Sequence, residues 1–316
     1  MRAIVFDEFG GPEKLRLADI PTPMPQPNEV LIKLSCTSVN PVDWKVRKGL
    51  LNDRFPHAFP LIPGWDAAGT VAALGADVTD FVEGDKVYAY CRKPLIQWGT
   101  YAEYVTMAAD MVAPMPANCD FAQAATVPLV GLTSWQCLFD AASLKGGQSV
   151  LIHAGAGGVG GYAIQFAKAA GARVITTASA ANHDYVRELG ADAVIDYRSE
   201  NVAERVRAWA PEGVDVVFDT MGGDIQREGY TLLRKGGTLV SIITPPVPEE
   251  AEAHGVHGAY VFVEPNGRQL REIARLIETG QVKPPVYEEM PLEQAAEAQK
   301  RNETGHGRGK IVLRIS

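Results

Sequence analysis

A glycine-rich segment near the middle of the chain carries the residue spacing with the clearest chemistry. Gly155, Gly157 and Gly160 follow the apolar run Ser149–Ile152 and precede a stretch rich in small residues. The spacing G-x-G-x-x-G between a strand and a helix is typical of a dinucleotide-binding turn. The first glycine allows the turn, the second lets a pyrophosphate approach the backbone, and the third lets the helix pack on the strand. The alternative is a glycine-rich turn in another βαβ unit. The candidate cofactor residues of this turn are Gly155, Gly157, Gly158, Val159 and Gly160.

The elements that must position this turn alternate between strand and helix patterns from Phe121 onward. Alternation of this kind predicts an α/β fold with a parallel sheet covered on both faces. Val261–Val263 is a candidate for the last strand. The other strands are expected at Val150–His153, Arg173–Thr177, Ala193–Asp196, Val214–Asp219 and Thr238–Ile243.

The first 120 residues have a different pattern of apolar and turn-forming residues. Short apolar runs there are separated by Gly, Pro, Asn and Asp, and helical patterns are scarce. This indicates a small barrel or a pair of packed sheets. The run Lys310–Ile315 is again strand-like, so we expect the tail from Gln281 to rejoin this first domain.

Composition excludes several classes of function. A chain of 316 residues is long enough for two domains, and its net charge of −8 argues against a general nucleic-acid or anionic-membrane binder. The four cysteines are scattered without a C-x-x-C pair, which favours free thiols in a reducing compartment, with cytoplasm as the default. The N-terminus meets Asp7 before any long apolar run and does not predict a signal peptide. No G-x-S-x-G elbow and no P-loop lysine is present.

Five motifs, spread over almost the whole chain, carry a family resemblance. The chain resembles the zinc-independent quinone oxidoreductase branch of the medium-chain dehydrogenase/reductase family, which includes alkenal and enone reductases. The motifs are Val39–Asp43, Pro60–Gly69, Pro128–Thr133, the glycine turn Gly155–Gly160 and the tail Gly307–Leu313.

The resemblance implies a two-domain architecture. Residues 1–120 and 281–316 would form a GroES-like β-rich catalytic domain, and residues 121–280 a Rossmann domain with a doubly wound parallel sheet that binds NADP(H). The active site would lie in the cleft. The resemblance also implies a homodimer joined through the edge strand of the Rossmann sheet, near residues 241–260.

The resemblance bears directly on zinc. Zinc-dependent relatives place Cys, His and Cys where this chain has Asn40, Trp65 and Leu129. Asp66 keeps an acid beside the lost histidine, but one carboxylate cannot hold a tetrahedral zinc. We therefore expect no metal.

The cofactor is expected to be NADP(H) rather than NAD(H). An NAD site places an acid about 20 residues past the glycine turn, and the window Val174–Ser179 has none. Ser179 can donate to a 2′-phosphate, as can Asn182 and His183, and Tyr197 matches a tyrosine that relatives use there. Arg198 is a further candidate or a solvated surface charge.

Four more residues are expected on the cofactor side. Asp219 ends a predicted strand where the cofactor should pass, although a structural helix cap is an equal interpretation. The resemblance places Thr133 near the nicotinamide, with Phe262 and Val263 offering backbone groups to its carboxamide.

Without zinc, the plausible reaction is hydride transfer from NADPH to an acceptor that is already electron-poor. The acceptor is a quinone, or alternatively an enone or 2-alkenal reduced at its C=C bond. Asn40, Asp43 and Lys45 lie on the segment that faces the cleft in relatives. Asn40 is the preferred residue, as a catalytic donor or as a contact to the cofactor ribose, and Asp43 is a second catalytic candidate or a structural acceptor. Tyr90, Trp98 and Tyr101 are candidates for pocket walls or for the core.

A rival from another class is an NADPH-binding redox sensor or structural protein without turnover. The cofactor site can be predicted from the sequence, whereas no residue can be assigned as the proton donor. Acceptor-dependent NADPH oxidation separates the two hypotheses.

Overall fold

Short β-branched and aromatic runs at both ends of the chain, and alternating runs in its middle, form the strands. The computed structural model describes residues 1–285, 287–305 and 307–315. The strands are β1 (Arg2–Val5), β2 (Arg16–Asp19), β3 (Glu29–Val39), β4 (His57–Ile62), β5 (Asp66–Leu74), β6 (Lys86–Tyr90), β7 (Ile96–Trp98), β8 (Tyr104–Ala108), β9 (Val112–Pro114), β10 (Ser149–Ile152), β11 (Arg173–Thr177), β12 (Ala193–Ile195), β13 (Val214–Asp219), β14 (Leu233–Ser241), β15 (His257–Tyr260), β16 (Tyr287–Pro291) and β17 (Lys310–Arg314).

The helices are α1 (Pro41–Arg47), α2 (Phe121–Ala125), α3 (Pro128–Trp135), α4 (Gly158–Ala169), α5 (His183–Glu188), α6 (Val202–Trp209), α7 (Gly223–Tyr230), α8 (Pro248–His254), α9 (Gly267–Glu278) and α10 (Ala295–Glu303). The longest of these helices are α4 and α9, with twelve residues each. No helix among the described residues has the length and apolar content needed to span a bilayer.

The chain divides into two units, here called unit 1 and unit 2. Unit 1 comprises Met1–Leu132, Glu264–Gly280 and Pro284–Ser316, and unit 2 comprises Thr133–Val263 and Gln281–Lys283. Unit 1 therefore includes α2, the first part of α3 and α9, which lie beyond the limits expected from the sequence. The reason for α9 is visible in its contacts: Tyr88 Oη donates to the Leu270 carbonyl at 2.5 Å.

Unit 1 is built on a largely antiparallel sheet in the order β16-β17-β3-β5-β6-β9, with β8 also paired to β3. The C-terminal strand β17 pairs with β3, which joins the two ends of the chain as expected. The inward residues Val30, Ile32 and Leu34 of β3 pack with Leu313 of β17 in one apolar core. This fold places the first turn of α1, the start of β5 and the start of β17 around one buried point.

Unit 2 contains a parallel sheet in the order β12-β11-β10-β13-β14-β15. This is the doubly wound order 3-2-1-4-5-6, whose crevice lies at the carboxyl ends of the strands. All four residues of β10 are buried, as a sheet covered on both faces requires. The predicted fold class is confirmed.

The last strand of unit 2 differs from the prediction. Val261–Val263 is not a strand; β15 ends at Tyr260, which pairs with Ser241, the final residue of β14. The Val261 N–H still donates to the Ser241 carbonyl at 3.0 Å, and beyond it the neighbouring strand has ended.

Candidate functional site

In the glycine-rich turn between β10 and α4, protein atoms crowd two of the three motif glycines. A Cβ at Gly155 would lie 2.2 Å from Thr176 Oγ1, and one at Gly160 would lie 2.3 Å from the Ala154 carbonyl oxygen. At Gly157 a Cβ would meet the same oxygen at 3.4 Å, an ordinary contact. The fold thus explains the first and third glycines. No described protein atom requires a glycine at the second position, which agrees with the prediction that a ligand approaches the backbone there.

The N-terminus of α4 is open to an anion. Gly157 is its N-cap and provides no side-chain cap, and Gly157, Gly158 and Val159 are half-exposed. The first N–H groups of a helix have no partner within the helix, and they point toward the positive end of its dipole. These residues fit the pyrophosphate of a dinucleotide.

Hydrogen-bond donors gather at the ends of β11 and β12, which are neighbours in the sheet. Asn182 Nδ2 donates to Ser179 Oγ at 3.2 Å, and His183 Nε2 lies 3.3 Å from the Ala178 carbonyl oxygen. From the next strand, Tyr197 is 52% exposed, with the Arg198 guanidinium 5.6 Å from its ring centroid. The residues at the end of β11 include no acid, which suits a 2′-phosphate there. Asp196, directly after β12, is an acid in the same corner, and its carboxylate accepts from the Arg198 N–H at 3.1 Å and from Ser199 Oγ at 2.9 Å.

Asp219 is fully occupied by structural contacts. Its Oδ1 accepts from the N–H groups of Met221 at 2.9 Å and Gly222 at 2.8 Å. Its Oδ2 accepts from Ser241 Oγ at 2.7 Å and Gln226 Nε2 at 3.1 Å. These contacts give Asp219 a structural role in the turn that leads into α7, although the N-cap of that helix is Gly222 and not Asp219.

His153, directly after β10, is a buried titratable residue that the motif search did not single out. Burial lowers the pKa of its imidazole to about 4, although the nearby charge of Asp219 acts in the opposite direction. Thr220 Oγ1 donates to the His153 carbonyl at 3.0 Å. The side chain is therefore neutral near pH 7 and sits beneath the glycine turn.

The remaining expected cofactor residues lie near the limits of unit 2. Thr133 is its first residue and is 4% exposed on α3. Phe262 is half-buried and Val263 is buried, both in irregular backbone after β15. Their contact with a nicotinamide stays a prediction.

In unit 1, the two side chains predicted to be catalytic are interior. Asn40 is 0% and Asp43 1% exposed at the first turn of α1. Asp43 Oδ2 accepts from the Asn40 N–H at 2.8 Å and from Tyr101 Oη at 2.9 Å. Burial raises the pKa of Asp43 to about 7, against the lowering effect of these two hydrogen bonds. The contacts favour positioning roles over contact with an acceptor.

Asp66, at the start of β5, is the centre of this buried polar cluster. Its Oδ1 accepts from the Leu129 N–H at 2.7 Å. Its Oδ2 accepts from Ser38 Oγ at 2.6 Å and Asn40 Nδ2 at 2.7 Å, and it lies 3.4 Å from the Lys310 ammonium. Burial lowers the pKa of Lys310, and the charge of Asp66 opposes that shift.

Two of the three aromatic pocket candidates are core residues. Tyr90 and Tyr101 are both 0% exposed, whereas Trp98 is 39% exposed. Only Trp98 can therefore contact a ligand without rearrangement. The core interpretation fits the other two.

Lys45, on α1, is the third candidate residue of the segment that the sequence predicts to face the cleft. It is half-buried, burial lowers its pKa, and its Nζ lies 5.6 Å from the Trp44 ring centroid. Among the described residues no carboxylate forms an ion pair with it.

Arg47, at the end of the same helix, is fully buried and donates to Gln299 Oε1 at 2.7 Å and to the Gly10 carbonyl at 2.8 Å. Helix α1 is thus anchored at both ends.

Comparison with known proteins places this geometry in a family. Family models for the alcohol dehydrogenase GroES-like domain and for zinc-binding dehydrogenases match residues 26–117 and 189–313. The chain is 36% identical to an NADPH-dependent alkenal/one oxidoreductase of Arabidopsis thaliana, over 99% of this chain and 79% of that protein. The chain belongs to the medium-chain dehydrogenase/reductase family.

Solved structures of quinone oxidoreductases in this family have the same fold. The Coxiella burnetii enzyme matches with a TM-score of 0.89 and 36% identity, covering 100% of this chain and 99% of that one. The Escherichia coli enzyme, complexed with NADPH, matches with a TM-score of 0.88 and 29% identity, over 100% of both chains. The family recognised from the sequence motifs is confirmed.

Zinc, which one of the two family descriptions implies, does not fit the residues present. The described residues contain no group of three His, Cys, Asp or Glu side chains that could hold a metal ion. Both oxygens of Asp66 are already engaged, by donors that include the Leu129 N–H and the Lys310 ammonium. No step of the reaction is assigned to a metal here.

Proposed function

We propose that this member of the medium-chain dehydrogenase/reductase family reduces quinones at the expense of NADPH. The observation that carries the proposal is the pairing of an open helix N-terminus at Gly157–Val159 with a strand end that offers Ser179 and His183 instead of an acid. That combination suits a pyrophosphate and a 2′-phosphate. The relatives described as quinone oxidoreductases supply the acceptor class.

The residues of the chain would bind, orient and stabilise charge. The glycine turn, Ser179, His183 and Tyr197 would hold NADPH, whose chemistry would be to supply a hydride. Negative charge develops on the acceptor oxygen during the transfer, and a half-desolvated ammonium stabilises such charge better than an exposed one. Lys45 is the proposed donor to that oxygen. Asn40 and Asp43 position α1, and Thr133, Phe262 and Val263 remain proposed nicotinamide contacts.

A second candidate is reduction of the C=C bond of 2-alkenals and enones. The relative that is 36% identical and named an alkenal/one oxidoreductase favours it. The same Lys45 contact would then stabilise an enolate oxygen, and a proton would be added at the α-carbon.

Product analysis separates these candidates. The protein would be incubated with NADPH and either 9,10-phenanthrenequinone or a 2-alkenal, and the products identified by mass spectrometry. Hydroquinone without alkene reduction supports the quinone reductase. A saturated carbonyl product at comparable kcat/KM assigns the alkene reductase instead, and no product with either acceptor refutes both.

The assembly and compartment are further parts of the proposal. Among the described residues strand β15 pairs with β14 alone, and a strand at the edge of a sheet is a place where a second copy of the chain can add its own strand. A homodimer formed there would give twice the chain mass in light scattering, and a monomer would contradict it. The four cysteines are free, which supports a reducing compartment such as the cytoplasm.

A further inference from the structure

Lys310, the first residue of β17, is a charged side chain in the interior of unit 1. The residue is 6% exposed, and its ammonium donates to the Val39 carbonyl at 3.1 Å and to Asn40 Oδ1, with Asp66 Oδ2 at 3.4 Å. An ammonium has three N–H donors, so each has an acceptor here. The three acceptors come from the end of β3, the N-cap of α1 and the start of β5.

This arrangement determines the orientation of the Asn40 amide. An ammonium can only donate and a carboxylate can only accept. Asn40 Oδ1 must therefore face Lys310, while Asn40 Nδ2 donates to Asp66 Oδ2 at 2.7 Å. A methionine at position 310 could fill similar space but would leave Oδ1 without a donor. A buried ion pair adds little net stability, whereas it can specify one geometry.

The cluster also lies where three positions of the chain converge. Asn40 contacts Asp66 through its side-chain amide at 2.7 Å, Leu129 contacts it through its backbone N–H at 2.7 Å, and Lys310 comes from the other end of the chain. A cation is thus present at this junction as part of the chain itself.

We propose that Lys310 is a positioning residue whose ammonium acts as the fixed cation of this junction. By holding Asn40, whose N–H binds Asp43 at 2.8 Å, it sets the first turn of α1 and so the place from which Lys45 meets the acceptor. The inference rests on the proposed function through its last step. The positioning itself can be tested without turnover.

The first experiment compares Lys310→Met with Val312→Ala, a fully buried apolar residue of the same strand. Both variants weaken β17, but only the first removes the cation. We expect kcat for quinone reduction to fall on the order of 10- to 100-fold in Lys310→Met. The NADPH dissociation constant should stay unchanged, and Val312→Ala should keep its kcat. Equal kcat in the two variants overturns the proposal.

A second variant guards against simple loss of folding. In Lys310→Met/Asp66→Asn no buried charge is left unpaired, so we expect recovery of much of the melting temperature lost in Lys310→Met. We expect kcat to stay low because an amide at position 66 can donate or accept, so it can pair with the Asn40 amide in either orientation and no longer fixes it. Recovery of kcat together with melting temperature would show a purely structural role and overturn the proposal.

Hydrogen–deuterium exchange reads the positioning directly. The amides of α1 should exchange faster in both Lys310 variants than in Val312→Ala, measured without cofactor or acceptor. Unchanged exchange in α1 overturns the inference. If the wild-type protein lacks turnover but the variants differ in α1 exchange in this way, the proposed function is refuted and the positioning of α1 is still supported.

Discussion

Gly157→Ala is expected to separate ligand binding from folding within the glycine turn. The backbone at Gly157 has φ −77°, which alanine adopts without strain, and its Cβ would lie 3.4 Å from the nearest atom, the Ala154 oxygen. Alanine is a poorer N-cap than glycine, which costs below about 1 kcal/mol of stability. A methyl group where the pyrophosphate approaches costs about 1–3 kcal/mol of overpacking, or roughly 5- to 150-fold in NADPH affinity.

Gly160→Ala is expected to behave in the opposite way. Its Cβ would lie 2.3 Å from the Ala154 oxygen and 2.7 Å from Gly155 Cα, and backbone atoms cannot rotate aside. We expect a loss on the order of 1–3 kcal/mol or more in stability. The melting temperature should fall by roughly 2–10 °C. Gly161→Ala is the matched control, since its Cβ would have 3.4 Å of room and neither property should suffer.

The assay combines thermal melts with NADPH fluorescence titrations of the three variants. The account predicts weak binding with a near-normal melting temperature for Gly157→Ala alone. Wild-type affinity in that variant would mean that no phosphate approaches Gly157, and the placement of the cofactor on this turn would be refuted.

Four other predictions test separate parts of the proposal. Lys45→Met should lower kcat about 100-fold without changing the NADPH dissociation constant, because an oxyanion donor is lost; Lys300→Met on exposed α10 is the control, and an unchanged kcat would remove Lys45 from the reaction. Ser179→Asp should shift the ratio of NADPH to NADH affinity roughly ten- to hundredfold toward NADH, because a carboxylate repels the 2′-phosphate; an unchanged ratio would place that phosphate elsewhere. The pKa of Asp43 is raised to about 7, so its contribution to stability is present at low pH and is lost as pH rises through 7; Asp43→Asn should remove a pH-dependent loss of roughly 4 kcal/mol. The pKa of His153 is lowered to about 4, so its contribution is present above pH 6.5 and is lost as pH falls toward 4; His153→Gln should flatten a fall of roughly 3 kcal/mol. Melting temperatures between pH 4 and 9 check both, and parallel curves for wild type and variants would contradict them.

The fold was predictable because its signals are local. The parallel sheet of unit 2 follows from buried runs such as Ser149–Ile152 alternating with helical patterns, and the glycine turn lies within a dozen residues. Helix α1 was missed because it has only seven residues. Its signal was nevertheless present: Asn40 precedes Pro41, and Asp43 stands three residues after the cap, which is a helix-start pattern.

The buried cluster could not be predicted, because its members are distant in sequence. Lys310 and Asp66 are 244 residues apart, and no periodicity links them. For the same reason, the burial of Asn40 and Asp43 could not be predicted, because it depends on strands from both ends of the chain. Val261–Val263 failed as a strand because strand length depends on where the neighbouring strand ends.

The most direct test of the central claim is a single-turnover measurement with wild-type protein, NADPH and one equivalent of 9,10-phenanthrenequinone. The account predicts rapid loss of NADPH absorbance, one cofactor oxidised for each quinone reduced, and much slower loss with NADH. Tight NADPH binding without oxidation, with quinones and enones alike, would contradict it and leave a binding-only protein.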